Sequence, residues 1–278
     1  MNKKLDIKNI KSGFEEIEES FSSYQNNINI KYDFPLLDLC CGGIRHGSLT
    51  CITARPNTGK TVLSFQLAEN IAKQNQKVLF CSCEMGADMM AERYLVKAAG
   101  INRYMFFDLY CNRKDQFYHI IEDLELKEKY QYLDNIDIVE TNGATIEDIL
   151  ELIEKSKIYK FIVIDYIQRI RGVGSEYEVI TNACSKIQTY ARQNKCTFIV
   201  CSQAKRTQDK QVDIASLSKG SGSIEEDSDI SIVLTELQPD DPDNRDVLMT
   251  ITKNRFGRIK NISKKYRLTP RLNFMELG

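Results

Sequence analysis

Apolar residues along the chain follow two alternating patterns. Short continuous apolar runs of strand length alternate with segments in which apolar residues recur every three or four positions, as on one face of a helix. The predicted strands are Leu49–Ala54, Val78–Ser82, Ile136–Val139, Phe161–Ile164, Phe198–Cys201, Ile230–Thr235 and Val247–Thr252. After about Asp229 the helical pattern stops and strands follow each other. This order predicts an α/β fold, with a mostly parallel sheet flanked by helices and antiparallel strands added near the C-terminus.

The first 30 residues carry a narrower apolar stripe. Its members recur at steps of three and four, which is typical of helices that pack as in coiled coils: Ile7, Ile10, Phe14, Ile17 and Phe21. We therefore predict a helical arm over residues 1–30, ahead of one domain over residues 31–278. The stripe alone does not decide whether the arm folds back on its own domain or docks on a neighbouring subunit.

Composition narrows the class of protein only a little. Lys plus Arg number 38 and Asp plus Glu number 39, so a nucleic-acid site must be a local basic patch. The nine cysteines contain no C-x-x-C spacing, which favours reduced, buried thiols over disulfides or metal ligands. Neither a membrane-length apolar run nor a signal-peptide core occurs in the sequence. We expect a cytoplasmic protein that has no membrane partner.

Residues 54–61 read A-R-P-N-T-G-K-T, between a predicted strand and an amphipathic helix. This context is typical of a P-loop, whose backbone N–H groups hold the phosphates of a nucleotide such as ATP. The candidate phosphate-binding residues are Arg55, Pro56, Asn57, Thr58, Gly59, Lys60 and Thr61. Lys60 would reach the β- and γ-phosphates, and Thr61 would ligate Mg²⁺. The usual pattern begins with glycine, where this chain has Ala54, so a purely structural loop is the alternative.

Three other predicted strands end in polar side chains. Asp165 follows a buried strand, as in a Walker B motif, and would hold Mg²⁺ through water. Glu84 ends the strand that we place next to the P-loop strand, where a carboxylate could activate water against the γ-phosphate. The amide of Gln203 could sense the same phosphate. The alternative for each acid is the cap of a following helix.

Several sequence blocks occur together in a fixed order. They are Cys41-Gly42-Gly43-Ile44, the loop 54–61, Ser82-x-Glu84-Met85, Ile164-Asp165-Tyr166-Ile167-Gln168, Ser202-Gln203, Gly222-Ser223-Ile224-Glu225-x-Asp227-x-Asp229 and Lys253-x-Arg255-x-Gly257. In these blocks, from roughly Asp6 to Leu277, the chain resembles the ATPase domain of DnaB-type replicative helicases, which are hexameric motors with a RecA-like fold. Alanine at position 54 is usual in that family. The resemblance implies a hexameric ATPase that moves along single-stranded DNA, from 5′ to 3′, and unwinds duplex DNA during replication.

The resemblance also implies roles for single residues. Glu84 matches the catalytic glutamate, Asp165 the Walker B aspartate, and Gln203 the glutamine that couples nucleotide state to DNA. Lys253 and Arg255 match a pair that reaches the γ-phosphate of the neighbouring subunit, although a solvated strand face is the alternative. Arg93 also matches an arginine of the family, but no role follows for it from physical reasoning.

Contact with DNA is expected from loops that face the channel of the ring. The glycine-rich loop contributes Lys219, Gly220 and Gly222, whose backbone can approach phosphates closely. Two further loops contribute Arg169, Arg171, Lys205 and Arg206. Residues 251–271 carry eight basic residues and no acid, whereas residues 222–246 are acidic, so we expect one subunit's basic edge to pair with the next subunit's acidic edge. Solvated charge is the alternative.

In the DnaB-type family a linker helix packs on the adjacent subunit, which favours docking of the arm on a neighbour. The helical N-terminal domain that precedes this linker in the family is missing from the sequence. The chain is therefore expected to be a trimmed piece or a compact helicase of the kind found in phages and mobile elements. A primase or a helicase loader is the expected protein partner. The alternatives are a RecA- or RadA-like recombinase that forms filaments, and a DNA-binding module that uses nucleotide only as a switch.

Overall fold

The computed structural model describes residues 30–123, 131–204, 222–237, 245–257, 262–269 and 273–277. Its strands are β1 (Leu49–Ala54), β2 (Val78–Ser82), β3 (Ile136–Glu140), β4 (Phe161–Asp165), β5 (Thr197–Gln203), β6 (Ile230–Glu236), β7 (Asp246–Asn254), β8 (Ile262–Leu268) and β9 (Phe274–Glu276). Its α-helices are α1 (Pro35–Cys41), α2 (Lys60–Ala72), α3 (Ala87–Ala99), α4 (Arg103–Asn112), α5 (Lys114–Asp123), α6 (Ile146–Ser156), α7 (Glu176–Asn194) and α8 (Gly222–Asp227). Short 3₁₀ helices occupy Gln131–Asn135 and Ile167–Arg169. The predicted arm, apart from Ile30, lies outside the described residues.

The nine strands of the described chain form one sheet in the order β3-β2-β4-β5-β1-β6-β7-β8-β9. Strands β1 to β6 pair in parallel, and β7, β8 and β9 are added antiparallel. The predicted mostly parallel sheet with antiparallel C-terminal strands is therefore confirmed. The predicted adjacency of β2 and β1 is wrong, because β4 and β5 lie between them. Helical crossovers allow strands that are consecutive in the chain to be separated in the sheet, so chain order did not determine adjacency.

Helices cover both faces of the central strands, which explains their continuous apolar runs. Alternate residues of β1 enter opposite cores: Ile52 and Ala54 pack in the core that contains the apolar face of α2, and Leu49 and Cys51 pack in the core that contains α6 and α7. The sheet is thus fixed from both sides. Within the residues described, none of the helices combines the length and apolarity needed to cross a membrane.

Side-chain caps fix the starts of the two long helices on the second face. The hydroxyl of Thr145 accepts a hydrogen bond from the backbone N–H of Asp148, and the carboxylate of Asp148 accepts one from the backbone N–H of Thr145. This capping box fixes the start of α6. Ser175 and Glu178 form the same reciprocal pair at the start of α7. Such caps each contribute about 1 kcal/mol to helix stability.

Eight of the nine cysteines are buried, as the sequence predicts, and Cys111 is exposed. Burial raises the pKa of Cys51 to about 12, so that its thiol behaves as a small apolar group.

Candidate active site

The predicted P-loop connects the end of β1 to the start of α2. Gly59 caps α2 with a left-handed backbone, at φ 93°, and Asn57 also has a positive φ of 66°. A Cβ atom on Gly59 would lie 2.8 Å from Cζ of Phe274 and 3.0 Å from Cδ2 of Leu268. Glycine is required here both by the backbone conformation and by the C-terminal strands that pack on the loop.

An open cleft of about 730 Å³ lies at the carboxyl edge of the parallel strands, above this loop. It is lined by six of the seven predicted phosphate-binding residues, all except Thr58, which is buried. Glu84 and Gln203 line the same cleft. Ligand clefts are expected at this edge of a parallel sheet.

The buried carboxylate of Asp165 faces the P-loop lysine. Nζ of Lys60 lies 3.3 Å from Oδ1 of Asp165 and 3.9 Å from the centre of the Tyr166 ring. Asp165 is 6% exposed, and its Oδ1 accepts no hydrogen bond from any described residue. A buried carboxylate oxygen that is paired with a lysine can exchange that partner for a metal cation. Asp165, together with the Thr61 hydroxyl, therefore fits a magnesium ion held beside bound phosphates.

The turn that carries Glu84 is anchored by the neighbouring strands. The backbone N–H of Cys83 donates to the carbonyl oxygen of Asp165 at 2.8 Å, and that of Met85 donates to Oγ of Ser82 at 3.2 Å. Glu84 itself is exposed in the cleft. Although β2 is not adjacent to β1, its pairing with β4 brings the Glu84 turn beside Asp165.

Gln168 joins the tips of β4 and β5. Its Nε2 donates to Oγ of Ser202 at 3.0 Å and to the carbonyl oxygen of Gln203 at 3.1 Å, and its Oε1 accepts from the backbone N–H of Gln203 at 3.1 Å. Gln168 therefore fixes the backbone that presents the Gln203 side chain. It lies in a block that carries the resemblance, but no local pattern assigned it a contact.

The cleft also contains arginines that were expected elsewhere or had no assigned role. Arg169, predicted to contact DNA, lines the cleft and donates from Nε to the Tyr166 hydroxyl at 2.8 Å. Arg171 lies apart from it, and its backbone N–H donates to the carbonyl oxygen of Ala144. Arg93 also lines the cleft, where burial lowers its guanidinium pKa.

Arg245 enters the cleft from the start of β7, and sequence reasoning missed it. Nη2 of Arg245 donates to the carbonyl oxygen of Asn57 in the P-loop, and Nε lies 3.5 Å from Glu236. Its place in the sequence, at the end of a turn-rich stretch, carried no signal of such a contact.

Lys253 and Arg255 lie at the opposite end of β7. Lys253 pairs with Ser231 at the start of β6, whereas Val247 pairs with Glu236 at its end. At the usual rise of a strand, Arg255 is about 33 Å along the chain direction from Arg245. Neither Lys253 nor Arg255 lines the cleft of its own chain. The structure does not bring this pair together with Lys60.

The basic C-terminal strands find acidic partners in their own chain. Arg255 pairs with Asp229, Arg267 with Asp246, and Lys264 with Glu276. These pairs lie within one chain, so the expected pairing of basic and acidic edges between subunits stays a prediction. Both edges belong to the same antiparallel strands and the segment before them, so the charges meet where the strands fold back on each other.

Most of the predicted DNA-binding residues fall outside the part of the chain that the structure describes. These are Lys219, Gly220, Lys205 and Arg206. Gly222 is the first residue of α8.

Comparisons with known proteins agree with this architecture. The replicative DNA helicase DnaC of Bacillus subtilis (strain 168) is 26% identical over 265 residues, which is 90% of this chain and 57% of that protein. The chain thus spans little more than half the length of that relative. Among solved structures, one that is itself an isolated ATPase domain has a TM-score of 0.81 at 24% identity, over 98% of this chain and 100% of that one. A DnaB-like replicative helicase, solved to describe its interactions with primase, has a TM-score of 0.77 at 23% identity, over 98% of this chain and 68% of that one.

These likenesses confirm the predicted RecA-like fold. The family model for the DnaB-like helicase C-terminal domain matches residues 29–271, which include every described β-strand of the parallel core and the whole P-loop. The chain therefore belongs to the DnaB-like helicase C-terminal domain family.

Proposed function

We propose that this chain is the motor of an ATP-driven, ring-forming DNA helicase that moves along single-stranded DNA. The observation that carries the proposal is the shared cleft, in which the P-loop, the Lys60–Asp165 pair and Glu84 meet. The names of its relatives, replicative DNA helicases, support the same activity. A recombinase or a nucleotide-switched binding module is the alternative.

Each side chain of the cleft has a chemical task in this proposal. The backbone N–H groups of the P-loop and the Lys60 ammonium bind the phosphates of ATP. Thr61 and Asp165 would hold Mg²⁺, which neutralises phosphate charge when bound. Glu84 accepts a proton from the attacking water, because it is an exposed carboxylate on an anchored turn. The Gln203 amide, on a backbone fixed by Gln168, contacts the γ-phosphate.

The second half of the site comes from a neighbouring subunit. Arg255 stands at the far end of β7 from its own cleft, so it cannot reach the phosphates that its own Lys60 binds. In a closed ring with head-to-tail contacts, one subunit's cleft faces a different surface of the next subunit. Lys253 and Arg255 then offset the charge that develops on the transferred phosphoryl group of the neighbour, as an arginine finger does.

The arm over residues 1–30 completes the ring by docking on the next subunit. The supporting observation is a group of exposed apolar side chains on α4 and α5: Tyr104, Met105, Phe107, Tyr110 and Tyr118. We call this group the aromatic surface. Exposed apolar residues in such number mark an interaction site. The apolar stripe that the sequence predicts for the arm is proposed to contact this surface.

Nucleic acid and protein partners belong to the same proposal. Single-stranded DNA is proposed to bind Lys219, Lys205 and Arg206 through phosphate contacts that weaken with salt. Arg171 is proposed to contact a further phosphate of the DNA. Arg169 is proposed to contact DNA from its position in the wall of the nucleotide cleft. Primase is proposed as a partner because the DnaB-like relative was solved for its interactions with primase. We also propose that the protein acts in the cytoplasm, since its proposed task is DNA replication.

The decisive variant is Glu84→Gln, with Glu92→Gln as its matched control. Glu92 lies on α3, where it pairs with Arg103, and it does not line the cleft. We expect Glu84→Gln to lower kcat for ATP by about 10²- to 10⁴-fold while ATP still binds, because a general base is lost. The control should keep its turnover. Equal DNA-stimulated turnover in both variants would show that Glu84 is not the general base, and a wild-type protein without turnover on DNA would leave only the binding-module interpretation.

Strand displacement on forked DNA with opposite tails, run beside mass measurement of the oligomer, tests the motor and the ring. Rings that displace the strand from one tail polarity support the helicase, and open filaments without displacement support the recombinase. In the same measurement, Tyr104→Ser with Phe107→Ser should convert rings to smaller species. Tyr177→Ser, at an exposed tyrosine on α7, is the control that should leave rings intact.

A further inference from the structure

We propose that Asp229, assisted by Asn254, is a positioning residue that fixes Arg255, beside Lys253, for the nucleotide site of the neighbouring subunit. The inference rests on the proposed completion of that site between subunits. It assigns a role to two buried polar residues that do not line the cleft of their own chain.

Arg255 is held by three contacts with one short segment. Its Nη1 pairs with Oδ1 of Asp229 at 3.0 Å, and its Nη2 donates to the carbonyl oxygen of Glu226 at 3.0 Å. Its backbone N–H donates to the carbonyl oxygen of Asp229 at 2.9 Å. A long, half-exposed arginine is thereby restricted to one orientation before any partner arrives.

The same segment also holds Lys253, which lies two residues before Arg255. Its Nζ donates to the carbonyl oxygens of Glu225 at 2.5 Å and Glu226 at 2.8 Å, at the end of α8. The two cations therefore share the Glu226 carbonyl oxygen and point to the same end of α8. They act as a unit because the same backbone atoms locate both.

The contact with Arg255 requires the negative charge of the Asp229 side chain. Asp229 is 4% exposed, and its Oδ2 accepts the backbone N–H of Leu49 at 2.9 Å. An asparagine could serve that single donor equally well. The other oxygen faces Arg255 at 3.0 Å and Arg192 at 3.8 Å, where only a carboxylate offsets the positive charge. Burying an ionised carboxylate is costly without such partners, so the two guanidinium groups account for an aspartate where an asparagine would satisfy Leu49 alone.

The turn after β7 is fixed from the other side by Asn254. Nδ2 of this buried residue donates to the carbonyl oxygen of Cys40 at 2.8 Å, and its Oδ1 accepts the backbone N–H of Phe256 at 3.0 Å. A Cβ atom on Gly257 would lie 2.4 Å from the same Cys40 carbonyl oxygen. Asn254 and Gly257 thus hold the turn close to α1, while Asp229 orients the guanidinium of Arg255.

The test uses Asp229→Asn, which keeps an acceptor for Leu49 but loses the charge beside Arg255. Rings of this variant should assemble with unchanged mass and show about 10- to 100-fold lower kcat, with KM for ATP changed much less, because a catalytic group misplaced by about 1 Å costs this much. Glu276→Gln is the matched control, since it removes another carboxylate that pairs with a strand lysine, Lys264, at the sheet edge. That variant should turn over ATP normally. Assembled Asp229→Asn rings with the turnover of the control would overturn the inference.

Mixed rings separate positioning of a finger from damage to the variant's own site. Lys60→Ala removes the phosphate-binding lysine but keeps Asp229 and Arg255. In 1:1 mixtures of Asp229→Asn and Lys60→Ala subunits, about one quarter of the interfaces join an intact cleft to an intact finger. We expect ATP turnover to recover toward that fraction, although each variant alone is slow. No recovery means that Asp229 acts on its own cleft, and the inference is then wrong.

A parallel mixture of Arg255→Ala with Lys60→Ala tests the proposed function separately. If this pair recovers and the Asp229 pair does not, completion between subunits stands and only the positioning role of Asp229 fails. If the Arg255 pair does not recover, completion between subunits is wrong and the inference falls with it. Should circular dichroism show that Asp229→Asn does not fold, Asn254→Ala replaces it in the same mixtures, with the same outcomes read in the same way.

Discussion

A buried ion pair between α2 and α3 gives a quantitative prediction about what holds the cleft together. Nζ of Lys97 forms a hydrogen-bonded ion pair with Oε2 of Glu69, which follows the P-loop on α2. The Glu69 side chain is 1% exposed and that of Lys97 is 20% exposed. The hydroxyl of Tyr132 donates to the other carboxylate oxygen at 3.3 Å. Lys97 lies one helical turn after Arg93, so the pair also fixes the helix that brings Arg93 to the cleft.

Lys97→Met should destabilise the fold by about 3 kcal/mol. Removing one partner of a buried pair costs about 3–5 kcal/mol, because the remaining charge loses its compensation, and the partial exposure of Lys97 favours the low end. Glu69→Gln should cost less, since the lysine left behind reaches water. The double variant should lose less stability than the sum of the two, by about 1 kcal/mol or more, because the unpaired carboxylate is absent from it.

Urea denaturation of the wild type, both single variants and the double variant measures this coupling. Lys155→Met is the control: its ion pair with Glu151 is exposed and lies on the outer side of α6, so it should change stability by less than about 0.5 kcal/mol. ATP binding of Lys97→Met, measured on the fraction that remains folded, reports on the position of Arg93. Additive losses in the cycle would refute the reasoning, since they would mean that Glu69 and Lys97 do not interact in the folded chain.

Two further predictions concern the walls of the cleft. Gly59→Ala should lower the free energy of unfolding by at least about 1 kcal/mol, because alanine disfavours a left-handed backbone and its Cβ would contact Phe274. Thermal unfolding measures this loss, and an unchanged melting temperature would contradict the prediction. Arg245→Ala should weaken ATP binding by about tenfold with kcat little changed, because the P-loop loses a charged hydrogen bond to the Asn57 carbonyl oxygen. A nucleotide titration without turnover measures this affinity. A lowered kcat at unchanged affinity would mean that Arg245 acts in the chemical step instead.

Features that depend on neighbours in the sequence could be predicted from it. The apolar runs of β1, β2 and β4 are continuous because both their faces are buried, and the helix start at Thr145 is a local signature. The P-loop is likewise a contiguous block. These elements locate the cleft, since the carboxyl ends of parallel strands share one edge.

Features that depend on pairing between distant segments could not be predicted. β8 has only two buried residues, Tyr266 and Leu268, and contains consecutive lysines, so its sequence indicates a basic stretch and not a strand. The separation of β2 from β1 follows from crossovers that leave no local trace. Gln168 gains its role only where two strand tips meet, and Arg245 only where the sheet edge folds onto the P-loop.

β7 gives the two halves of the proposed site a physical connection. Its first residues carry Arg245 into one cleft, and its last residues present Arg255 at the far edge. The middle of the strand is fixed, because Val247, Met249 and Ile251 are fully buried and paired on both sides. We expect a displacement at the cleft end to be transmitted along such a closely packed strand to the turn that Asn254 ties to α1. In a ring, each subunit's occupied cleft is therefore expected to influence the finger that it offers to the next.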